Sequence, residues 1–70
     1  MPKRKPAPII THTELLCLAY RTLEKDVDYW RTACDGLPDA EERVAGICSR
    51  QLAQMDAIRT MYRYETGNDL

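Results

Sequence analysis

The sequence predicts an all-α fold: an antiparallel two-helix hairpin that pairs with a second copy as a homodimeric four-helix bundle. Three observations predict it. Apolar residues between Leu16 and Leu37 recur at alternating steps of four and three. A second apolar set, from Val44 to Tyr62, averages 3.6 residues per turn, and "GLPD" separates the two. The period-two alternation that marks a half-buried strand is absent.

The chain opens on a basic, proline-rich arm, residues 1–10. Pro2, Pro6 and Pro8 lack backbone donors and push their neighbours toward extended conformations, so the arm is expected to be a flexible segment. It carries Lys3, Arg4 and Lys5 and no acid. The other sixty residues hold seven basic and eleven acidic side chains, a net −4 against the arm's +3. The whole chain is near neutral at −1, which argues against bulk affinity for nucleic acid.

The first helix is predicted over about 12–35. Thr11 stands three residues before Glu14, the spacing at which each side chain satisfies an orphan backbone N–H of the first turn. Leu16, Tyr20, Leu23, Val27, Trp30, Cys34 and Leu37 then form one stripe, the seam of a coiled coil. Gly36 is the expected stop, because glycine takes the left-handed conformation that ends helices. The second helix is predicted over about 38–65, with Pro38 and Asp39 at its start and Glu41 and Glu42 facing the positive end of its dipole. Val44, Ile47, Gln51, Met55, Ile58 and Tyr62 make its main stripe, and Cys48 and Leu52 widen it. Gly67 and Asn68 end it, and residues 67–70 form a tail.

Two such helices joined by about three residues must double back. Counting from that loop places Trp30 near Val44, Val27 near Ile47, Tyr20 near Met55 and Leu16 near Ile58. It also puts His12 near residue 62. Gly46 faces Trp30 in this register, where it either makes room for the indole or is a plain exposed glycine.

One hairpin does not hide enough of this apolar surface. The first helix starts with Leu15, Leu16, Cys17, Leu18 and Ala19, apolar nearly all round. A core of this size rarely supplies more than about 3–5 kcal/mol without a disulfide, a metal or a partner subunit. The expected partner is therefore a second copy, with an unidentified protein on the remaining surface. The residues expected to meet one or the other are Leu15, Leu16, Leu18, Leu23, Trp30, Cys48, Leu52, Met55, Met61 and Tyr62.

Residues with chemistry are few. His12 is the sole histidine, and Cys17, Cys34 and Cys48 match no metal-ligand spacing. Ser49 has no histidine within reach, the acids Glu24, Asp26 and Asp28 fall on different helix faces, and the three glycines are isolated. Gln51 is the one polar residue in the second stripe, where a polar side chain sets register. The sequence thus predicts no enzyme, no cofactor site and no metal site. Two stretches offer a surface for binding. The arm offers Lys3, Arg4 and Lys5 as phosphate contacts, a weak, salt-sensitive grip on nucleic acid that is the alternative reading of function. "RTMYRYE", residues 59–65, sets Arg59 and Arg63 on one face with tyrosines between them. No run approaches the length of a membrane span, and no apolar segment of a signal peptide follows the basic start. With three free thiols, these features predict a cytoplasmic protein with no membrane partner.

Overall fold

A computed structural model describes residues 10–70. The fold is all-helical, with three helices and no strand among the described residues: α1 over His12–Ala33, α2 over Ala40–Ile47 and α3 over Ser49–Thr66. None of them is long and apolar enough to cross a membrane. The arm lies outside the described residues apart from Ile10, which is exposed.

α1 begins where its cap predicts. Thr11 is extended, and its hydroxyl oxygen accepts from the Glu14 N–H at 3.1 Å. The stripe holds as far as Cys34: Leu16, Val27 and Cys34 are buried, and Tyr20, Leu23 and Trp30 are half-buried. Leu37 leaves it. The helix ends at Ala33, so Leu37 sits in the connection and is 48% exposed.

That connection is six residues long, Cys34–Asp39, rather than about three. Gly36 turns it at φ +81°, a left-handed conformation that a β-carbon disfavours. Asp39 is also left-handed, at φ +57°, and makes no side-chain cap bond. The start of α2 is fastened instead by the Arg43 Nε–H donating to the Pro38 carbonyl at 2.9 Å. Asp39 tolerates the left-handed region better than most residues, and its charge suits a helix N-terminus. Asp39→Val loses both advantages and is expected to cost about 1–2 kcal/mol in thermal denaturation. Asp39→Gly should be close to neutral, since it relieves the backbone but loses the charge. Equal melting of the Val variant and wild type would contradict the left-handed cap.

The single second helix is the clearest departure from expectation. The chain bends at Cys48 (φ −100°, ψ 17°), between α2 and α3. Hydrogen bonds still cross the bend, from the Cys48 N–H to the Val44 carbonyl and from the Leu52 N–H to the Cys48 carbonyl, both at 2.8 Å. Gly46 and Ser49, both weak helix formers, flank it. The bend turns Cys48 inward and leaves Ile47 exposed, so Cys48 takes the core place expected for Ile47.

Val27, Cys34, Val44 and Cys48 form the buried cluster, with Trp30, Ala40, Leu52 and Met55 packed against it. α1 runs opposite to α3. The Gln51 side-chain amide donates to Asp26 at 2.8 Å, and His12 meets Glu65 at 2.6 Å. Both pairs share one register, about one turn beyond the register counted from a three-residue loop. His12 accordingly lies by Glu65 rather than near residue 62. Gly46 has open space where its β-carbon would be, so it is an exposed glycine and makes no room for Trp30.

Candidate interaction surface

The two helical arms form a layer with two unlike sides. On one side, Ala19, Thr22 and Leu23 of α1 and Gln54, Ala57 and Ile58 of α3 line an open groove of roughly 550 Å³. On the other, Arg31, Asp35, Ala40, Glu41, Val44, Ala45 and Leu52 line a cleft of roughly 450 Å³. Helical phase fixes what else shares each side. Gln51, Gln54, Ile58, Met61 and Glu65 follow one another along α3 at steps of three and four, as do Leu15, Ala19, Thr22, Asp26 and Tyr29 along α1 at steps of four and three. These rows flank the open groove. Cys17, Glu24, Asp28 and Arg31 share the opposite side of α1 in the same way, so Glu24 and Asp28, four residues apart, lie on one face and not on different ones; Asp35 follows in the connection.

The arginine–carboxylate pairs lie away from the groove walls. Arg31 pairs with Asp28 on the cleft side at 3.4 Å. Arg59 pairs with Asp56 at 3.4 Å and Arg63 with Asp69 at 2.6 Å, with Arg59 and Arg63 on the same strip of α3 as Leu52. The basic and aromatic stretch near the C-terminus is therefore matched by acids. Tyr62 is half-buried, while Tyr64 is 91% exposed. Flanking the groove, Asp26 accepts from the neutral Gln51 amide, Glu65 meets His12 Nδ1 at 2.6 Å, and Arg50, one turn before Gln54, is exposed.

The residues expected to meet a partner divide into three groups. Leu15 (55% exposed), Leu18 and Met61 are open to solvent. Leu23, Trp30, Leu52, Met55 and Tyr62 are half-buried between the helices. Leu16 and Cys48 are buried within the single chain, Cys48 at the bend. The arm's Lys3, Arg4 and Lys5 lie outside the described residues. Sequence reasoning missed the open groove itself. Its walls include Thr22, Gln54 and two alanines, which a search for large apolar residues passes over.

Reactive groups are few among the described residues. No three His, Cys, Asp or Glu side chains cluster as a metal site requires. All three cysteines are free. Burial raises the Cys48 thiol above its ordinary 9.0, the Asp26 carboxylate and the Cys34 sulfur add to the rise, and Arg31 opposes it. A thiol held protonated this way is a poor nucleophile. Compared with known proteins, the chain matches no family model, no curated protein and no solved structure, so any reading of its function rests on its own geometry.

Proposed function

We propose that the protein is a small non-enzymatic interaction module that acts as a homodimer. In this reading each chain is a helical hairpin, two chains stack as a four-helix bundle, and the outer surface is presented to another protein. The observation that carries it is α3. This helix of 18 residues has no buried residue, although it bears Leu52, Met55, Ile58, Met61 and Tyr62. Isolated helices near that length are marginal in water, and helices in proteins owe most of their stability to a packed apolar face. Here that face is only half covered by α1. Free thiols, two of them in the core, favour a reducing setting, which we take to be the cytoplasm.

Sedimentation at micromolar concentration tests the reading. The expected result is a species of twice the 8.1 kDa chain mass that dissociates on dilution. A monodisperse 8.1 kDa molecule across the accessible range would end it.

A further inference from the structure

We propose that Cys34 and Cys48 are a redox pair, which a small-molecule disulfide such as oxidised glutathione converts to an intramolecular bridge between the end of α1 and the bend after α2. The pair lies within one chain, so this does not rest on the homodimer reading.

Three features carry it. The first is placement. Together with Val27 and Val44, the two thiols make up the buried cluster. Cys34 ends the buried stripe of α1, and Cys48 follows Val44 by one turn, with α1 and α2 packed together. The Cys34 sulfur is near enough to Cys48 to help raise its thiol above the ordinary 9.0. The second is the backbone. Cys34 caps the end of α1 (φ −90°, ψ −1°), and Cys48 is the bend between α2 and α3. A disulfide has exacting geometry, and helix ends adjust to it more readily than helix interiors. The third is room. Cys34 is 5% exposed and Cys48 0%. A close-packed cluster has no space for a glutathione adduct on either sulfur, whereas a bridge takes up no more volume than two thiols. Folding therefore favours the bridge over the mixed disulfide.

The chemistry is thiol–disulfide exchange. When the chain opens, the thiolate of one cysteine attacks the small disulfide, whose S–S bond breaks to release one small thiol. The thiolate of the other cysteine then attacks the protein sulfur of the mixed disulfide and expels the second small thiol. Two protein S–H bonds and one small S–S bond become one protein S–S bond and two small thiols. The two electrons and two protons pass to the small molecule. The bridge closes a loop of fifteen residues, Cys34 to Cys48. A cross-link over that length shifts the folding equilibrium by about 100-fold. By linkage, the folded chain favours the bridge over the unfolded one by the same factor.

Equilibration with mixtures of reduced and oxidised glutathione tests the pair, on wild type and Cys17→Ser, in native buffer and in concentrated guanidinium. Trypsin separates the cysteines, since Cys34 falls in the peptide 32–43 and Cys48 in 44–50. Mass spectrometry after acid quenching and alkylation then reads which sulfurs are joined. In native buffer the expected product is 32–43 joined to 44–50, with Cys17 of the wild type carrying glutathione. In Cys17→Ser the equilibrium constant for the bridge should be about 100-fold larger in native buffer than in guanidinium. A constant no larger in native buffer overturns the proposal. So does a folded chain whose Cys34 or Cys48 is joined chiefly to Cys17 or to glutathione.

Discussion

Val27→Asp is expected to abolish the cooperative thermal transition, whereas Leu37→Asp melts within a few degrees of wild type. Both leucine and valine belong to one heptad in the sequence, yet the structure separates them. Val27 is 1% exposed and sits in the buried cluster with Cys34, Val44 and Cys48; Leu37 lies in the connection and faces water. A carboxylate at Val27 has no cation in that cluster to pair with. Leaving an unpaired charge in a core costs several kcal/mol, or forces it to stay protonated. A single core of this size supplies only about 3–5 kcal/mol, so the substitution removes most or all of the margin. At Leu37 the same change swaps one solvated side chain for another. Circular dichroism during heating separates the two outcomes. Wild-type melting of Val27→Asp would mean that the cluster is not the core.

The second large effect concerns the thiols. Cys17 is half-exposed, and Cys34 and Cys48 are buried. An aromatic disulfide reagent near neutral pH is expected to modify Cys17 rapidly. It should reach the other two about 100- to 1,000-fold more slowly, in proportion to the fraction of chain that is open at equilibrium, as a stability of about 3–4 kcal/mol implies. Guanidinium should bring all three to one rate. The raised pKa of Cys48 gives this a pH dependence of known sign. Because the folded value lies above the ordinary 9.0, the stability it represents is complete below pH 9. It is lost as the pH rises through the folded value, where the unfolded chain has already released its proton. Protection of Cys48 should therefore hold through neutral pH and fail in strong alkali. If two copies stabilise each other, protection also grows with protein concentration. Labelling of all three thiols at the Cys17 rate in native buffer would contradict the buried cluster.

Much of this architecture could be read from residue spacing. The Thr11 cap and the stripe from Leu16 to Cys34 define α1, because a long amphipathic pattern with a clear start overrides the ambiguity of single residues. The bend at Cys48 was not legible. The 3.6-residue average from Val44 to Tyr62 runs smoothly through it, and Gly46 and Ser49 are each too weak a signal to break a helix alone. The register between the arms was off by a turn for a related reason. "DGLPD" marks a turn but does not show that six residues would be spent on it. Of the site, the exposed Leu15, Leu18 and Met61 were visible as excess apolar residues. The groove was not, since whether an alanine lines a groove depends on the phase of two helices together.

The separation of the uncharged groove walls from the arginine–carboxylate pairs also sets how the molecule is free to vary. Arg31, Arg59 and Arg63 answer to acids beside them and touch none of the groove, so those couples are open to exchange or reversal without disturbing Ala19 or Ala57. Distant substitutions of this kind add nearly independently. A lineage carrying this chain is therefore free to drift in the charge pattern of its exterior while its architecture is inherited unchanged.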